Sequence, residues 1–133
     1  CMRISDNLEK NISSFYGEIL RIKSIVEAAN RGENIFFLLD EIFKGTNSTD
    51  RHTGAKMLIN ELMDFNTCGM VSTHDLELCD IESESNERVK NYNFREYYKD
   101  NKIQFDYKLH RGVSKTRNAL YLMKMAGINV PDN

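Results

Sequence analysis

Proline is nearly missing from this 133-residue sequence, with Pro131 its only copy. No low-complexity linker and no internal repeat interrupts the chain, so the sequence reads as one continuous domain piece. Charge of either sign is not in excess: the formal net charge is -2, and bulk electrostatics favours neither nucleic acid nor membrane. No apolar run approaches the roughly 20 residues that a bilayer-spanning helix needs, and there is no secretory signal. Cysteine is scarce. Cys1, Cys68 and Cys79 are an odd number without paired or metal-like spacing, and Cys68 and Cys79 sit in or beside apolar segments, where a thiol behaves as a small hydrophobe. That usage points to a reducing, cytoplasmic compartment.

The hydrophobic content of 41% supports a real core. The opening "CMRISDNLEK" has the character of neither a natural start nor a tag, and "MRI" reads as the tail of a strand, as expected of a piece of a longer protein. After a loop expected over residues 5–11, apolar side chains recur at Phe15, Ile19, Ile22, Val26 and Ala29, steps that mark one face of a helix. Ser13 or Ser14 is placed to cap it, and Gly32 follows its end. Residues 35–39 form an apolar run, as expected of a strand buried on both faces. A polar turn-rich loop, "KGTNST", leads to a helix over residues 50–65 with Ala55, Leu58, Ile59, Leu62 and Phe65 on one side. "CGMVST" is a second buried strand, and strand, helix, strand implies parallel pairing through a right-handed crossover. Residues 75–87 read as a short helix and an exposed acidic loop.

The character then changes. "VKNYNFREYY" and "KIQFDYKL" alternate around "KDN", which predicts an antiparallel hairpin with Tyr92, Phe94, Phe105 and Tyr107 supplying packing area. A last helix over residues 114–126 carries Ala119, Leu120, Met123 and Ala126 on one face, with Gly127 as its stop. The fold class is α/β with a mixed sheet.

Three constellations carry chemistry. The strand "IFFLL" ends in Asp40 and Glu41, and adjacent side chains there diverge. One carboxylate can face Mg²⁺ while the next faces a water, the arrangement many nucleoside triphosphatases use. A bare acidic pair can also simply end a strand at a solvated loop; the apolar run before it and "GTNSTD" after it favour the site. "STHD" ends the next parallel strand, so His74 falls on the same sheet edge, where open α/β sheets bind ligands. An imidazole there can hydrogen-bond a terminal phosphate. His74-Asp75 alone also suggests a metal phosphohydrolase, but that chemistry needs more histidine ligands, and His52 and His110 lie in polar surroundings as plain surface residues. "NISSFYGE" sets Ser13 and Ser14 at an expected helix N-terminus, a place for an anion or only a cap. The basic run Lys108, Arg111, Lys115, Arg117 and Lys124 is read as a solvated face rather than a phosphate contact.

The ordered set "ISSFYGEILRIKSIV", "FFLLDEIFKGTNSTDR" and "MVSTHD", followed by "VKNYNF" and "FDYKLHRGVSKTRNALYLMKMAGI", resembles the ATPase domain of the MutS family over most of the chain. The form "DEIFKGTNSTDR" departs from the G-R-G-T common in mismatch-repair members and looks more like MutS-like relatives without a mismatch-reading domain. The resemblance implies a partial P-loop NTPase fold of ABC-like type. It implies that Asp40 holds Mg²⁺, Glu41 orients or deprotonates the attacking water, and His74 senses the γ-phosphate of ATP. It further implies that Ser13 and Ser14 reach a partner's nucleotide across a homodimer, and that Asn47, Ser48 and Asp50 lie in the loop at that interface. No G-x-x-x-x-G-K-[ST] loop occurs in the sequence; "RGVSKTRN" lacks the glycine spacing. In the family that loop precedes the signature serines, so the expectation is a catalytic edge without its phosphate cradle, in a parent that associates with DNA through other domains. The alternatives are a fragment of an ABC-type or structural-maintenance ATPase, whose L-S-G-G signature "NISSF" does not match, and a non-catalytic oligomerisation module.

Overall fold

A computed structural model describes residues 2–115, 118–129 and 131. Cys1 and Arg117 of the expected features lie outside the described residues, as does the part of the last helix at residues 116–117, while Ser114 and Lys115, expected to open that helix, are not helical. The chain divides into two compact units, Cys1–Glu84 and Ser85–Asn133. The mixed α/β architecture expected from the sequence is present, as a parallel two-stranded sheet, an antiparallel hairpin and helices.

The first unit opens with helix α1, Met2–Asn30. The loop expected over residues 5–11 and the strand tail expected at "MRI" are helical instead, because residues 2–12 contain neither glycine nor proline to stop the helix. Ser13 and Ser14 therefore lie exposed inside α1 and do not cap it. Its C-terminus is the one expected. Gly32 takes φ 79°, its N–H donates to Ala29 O at 3.0 Å, and the Glu33 N–H donates to Ala28 O at 3.2 Å. These are the paired bonds of a left-handed glycine stop.

Strand β1, Ile35–Asp40, pairs in parallel with β2, Thr67–Ser72, in the register Ile35↔Thr67 to Asp40↔Ser72. Between them runs α2, Ser48–Met63, which buries Ala55, Leu58, Ile59 and Leu62 of the predicted face; Phe65, expected on that face, lies past the helix end and is half-buried. Burial of both strand faces is not observed. Leu39 is buried and Ile35 and Phe37 are half-buried on one face, whereas Phe36, Leu38 and Met70 on the other are more than 60% exposed. Nothing among the described residues covers that second face. A 3₁₀ turn, Leu76–Asp80, and a short α3, Ile81–Glu84, complete the unit and bury Leu78 and Ile81.

The second unit is the predicted hairpin, β3 Tyr92–Lys99 and β4 Lys102–Arg111, followed by α4, Asn118–Met125. Asp100 and Asn101 both adopt positive φ at its two-residue turn, the conformation that matches strand twist. A bulge shifts the register between Phe94 and Glu96, with Tyr107 at φ 55° on the facing strand. The aromatic packing expected here is mostly absent: Tyr92, Phe94, Phe105 and Tyr107 are exposed, and Tyr98 instead meets Tyr121 of α4 with ring centroids 3.7 Å apart. Gly127 closes α4 with the same glycine stop as α1, the Ile128 N–H donating to Met123 O at 2.9 Å.

Gly69 is the tightest point in the parallel pair. A Cβ placed there would lie 2.3 Å from Phe37 O and 2.4 Å from Phe37 Cδ2. Gly69→Ala must displace both the Phe37 ring and its backbone carbonyl, pushing the strands apart, and is expected to destabilise the protein by about 1–3 kcal/mol. Equilibrium urea unfolding measures this; a wild-type midpoint would show that the strand backbone yields without cost.

Candidate active site at the tips of the parallel strands

Parallel pairing carries β1 and β2 to a common end, and the groups singled out from sequence meet there. The Ser72 hydroxyl donates to Asp40 Oδ1. The Glu41 N–H donates to Ser72 O at 3.0 Å and faces Ser72 Oγ at 3.2 Å. Asp40 and Glu41 diverge as expected, Asp40 toward Ser72 and Glu41 toward His74, whose Nε2 lies 2.7 Å from Glu41 Oε1. The other oxygen of Glu41 meets Lys44 Nζ at 2.7 Å. His74 has a side chain 90% exposed, against 33% for Glu41. The imidazole thus stands exposed at the rim, paired with the carboxylate behind it.

The turn after β1 is strained and held from behind. Glu41 has φ 45° and Phe43 φ 63°, both in the left-handed region that side chains rarely adopt. The Phe43 N–H donates to Glu18 Oε1 of α1 at 2.7 Å, and the buried Phe43 ring meets Phe15 edge-on at 6.3 Å between centroids. Helix α1 therefore supports the turn that aims Glu41, a role its amphipathic face alone did not reveal.

An open cavity of about 370 Å³ lies beside these tips, lined by Glu41, His74, Ser48, Arg51, His52 and Asp75 among others. Of the residues expected at the site, Glu41, His74 and Ser48 line it; Ser13, Ser14, Asp40 and Asn47 do not. Asn47 has a local task. It caps α2, its Oδ1 accepting from the Asp50 N–H at 2.9 Å while its Nδ2 donates to Asp50 Oδ2 at 2.8 Å.

Two residues were missed in the sequence. Lys44 was read only as part of a polar loop, although it lies three positions from Glu41 in a turn, within reach of its carboxylate. His52 is not a plain surface histidine. It is 25% exposed, with Nδ1 2.9 Å from Asp75 Oδ2 and Nε2 3.5 Å from Glu77 Oε2. His110 is similarly half-buried, its Nε2 2.6 Å from Asp106 Oδ2.

Electrostatics fixes the state of Glu41. The hydrogen bond and charge of Lys44 chiefly, and then His74, hold its carboxyl below the ordinary carboxylate range against a smaller effect of burial. Glu41 is accordingly ionised at neutral pH. Because its folded value is depressed, its favourable contribution is present above the ordinary carboxylate range and is lost as pH falls through the depressed value. Lys44→Met should move the Glu41 titration upward, as followed by side-chain carbon-13 NMR. An unmoved titration would remove Lys44 as the cause.

Comparison with known proteins bears on what such a site serves. The family model described as MutS domain V matches residues 1–133. The chain is 30% identical over 122 residues to an endonuclease MutS2 of Carboxydothermus hydrogenoformans, covering 92% of this chain and 15% of that protein. It is 29% identical over 124 residues to a DNA mismatch repair protein MutS of Aquifex pyrophilus, covering 92% and 14%. It is also 31% identical over 132 residues to a DNA mismatch repair protein MSH3 of Vanderwaltozyma polyspora, covering 93% and 12%. The chain spans 12% to 15% of the length of these relatives.

Proposed function

The chain belongs to the MutS family, whose domain V it matches across residues 1–133, and from that premise we propose that it forms the hydrolytic edge of a DNA-associated ATPase. The observation that carries this reading is the pairing of Glu41 with His74, 2.7 Å apart at the ends of adjacent parallel strands, with Asp40 on the other side of the same tip.

The residues fit a magnesium nucleotide in part. Asp40 and the Ser72 hydroxyl are hard oxygen donors at an exposed strand end, the chemistry that suits Mg²⁺. The phosphates would need a Gly-rich cradle that this sequence lacks, so another part of the longer protein supplies it. Bound Mg-ATP would bring the γ-phosphoryl group and the charge that offsets its oxygens. The chain's own residues do the rest. Glu41 orients the attacking water or takes its proton, and His74 Nε2 hydrogen-bonds a terminal phosphate oxygen. Each Glu41 oxygen has one partner here, Lys44 or His74, and keeps a lone pair for a water, whereas His74 Nε2 leaves Glu41 to reach a phosphate oxygen. The exposed hydroxyls of Ser13 and Ser14 are offered to the nucleotide of a second copy in a homodimer, with Asn47 and Ser48 in the loop between copies. DNA is held by other domains.

In the full-length protein, Glu41→Gln should leave ATP binding intact and slow hydrolysis by a factor of about 10² to 10⁴. Asp40→Asn should instead weaken Mg²⁺-dependent nucleotide binding. Steady-state turnover and calorimetry separate the two, and unchanged turnover in Glu41→Gln would overturn the assignment. Calorimetric titration of the isolated chain with Mg-ATP should reveal no micromolar site, since the backbone cradle is elsewhere; tight saturable binding would place the grip within this sequence. The exposed face of Phe36, Leu38 and Met70 favours one other reading, a non-catalytic oligomerisation module. Self-association of the full-length protein with no response to ATP would select it.

A further inference from the structure

His74 has no packed surroundings to orient it. Its side chain is 90% exposed, and its placement depends on the backbone to either side. That backbone is unusually well tied. The Asp75 N–H donates to Thr73 Oγ1 at 2.9 Å, closing a tight turn around His74. Asp75 Oδ1 accepts from the Glu77 N–H at 3.0 Å and so caps the 3₁₀ turn that follows. The remaining oxygen, Oδ2, is taken by His52 Nδ1 at 2.9 Å. An ionised carboxylate only accepts, so Nδ1 carries the proton in this bond. His52 stands in the first half of α2, a different element, and both partners are about three-quarters buried.

We propose that His52 is a positioning residue for His74: through Asp75 it fastens the turn after β2 to α2 and thereby keeps the His74 imidazole at the strand tip, where Nε2 can pass from Glu41 to a phosphate oxygen. The role rests on the ATPase reading of the site and adds to it a residue that does not touch the reacting groups. His52, Asp75 and Glu77 are also near enough to one another to share a cation. Nδ1 is already taken by Asp75 Oδ2 at 2.9 Å, however, while Nε2 lies 3.5 Å from Glu77 Oε2, beyond an ordinary hydrogen bond. A hydrogen-bonded strut explains that arrangement without an ion.

The test uses the full-length protein, with Glu41→Gln as the benchmark for the site. His52→Ala should lower kcat about tenfold while KM for ATP stays within about twofold, the pattern of a lost supporting contact. His52→Asn, whose amide N–H can replace Nδ1–H toward Asp75, should recover most of the rate. His52→Leu, which keeps the packed volume without a donor, should match the alanine variant, and replaces it if alanine does not fold. In a His74→Ala background, His52→Ala should cause no further loss, because the group it positions is gone. The proposal is overturned by a His52→Ala kcat within about twofold of wild type, by an asparagine variant no better than leucine, or by losses at His52 and His74 that multiply. Unimpaired turnover in Glu41→Gln would overturn the ATPase reading itself, and the positioning role with it.

Discussion

Asp40 stands opposite Ser72 in the parallel register of β1 and β2, and that pairing decides where Asp40, Glu41 and His74 lie. The Ser72 hydroxyl and carbonyl serve both acidic residues at once, one as donor to Asp40 and the other as acceptor from the Glu41 N–H. A shift of β2 by one residue would turn its side chains to the opposite faces. It would remove the serine from Asp40 and carry His74 away from Glu41. Register is held from within by the close approach of Phe37 to Gly69, where no side chain fits. It is reinforced by α2, whose buried Ala55, Leu58, Ile59 and Leu62 pack beneath the pair.

The turn that follows β1 runs against backbone preference. Two residues with side chains, Glu41 and Phe43, occupy left-handed conformations that cost of order 1–3 kcal/mol each. Burial of Phe43 and its N–H bond to Glu18 hold the turn from the α1 side, while Ser72 holds it from β2. Strain kept in place by two independent elements is what a pre-aimed carboxylate requires. Charge completes the arrangement: Lys44 and His74 keep Glu41 ionised and occupied. A carboxylate so stabilised is a weaker base than a free one.

Local pattern was legible in the sequence. The buried face of α2, the two strands, the hairpin and both glycine stops follow from spacing and from residues that act on their immediate neighbours. Asp40, Glu41 and His74 were legible because strand ends collect side chains on one sheet edge. What failed depended on distant surfaces. The start of α1 could not be placed by a serine pair, since nothing before it breaks a helix. Burial of Phe36, Leu38 and Met70 is expected from the apolar runs that carry them, but a strand's second face is buried only when something covers it. His52 escaped notice because its partner Asp75 lies 23 positions away on another element.

On the proposed function, the tips of β1 and β2 face the terminal phosphate of a bound nucleotide. The most direct measurement is the structure of the full-length protein with Mg²⁺ and a non-hydrolysable ATP analogue. The account predicts the γ-phosphate within hydrogen-bond reach of His74, a water held by Glu41, and Mg²⁺ on the Asp40 side with the Ser72 hydroxyl. A nucleotide whose phosphates lie away from these strand tips, with Glu41 still closed on Lys44 and His74, would contradict it.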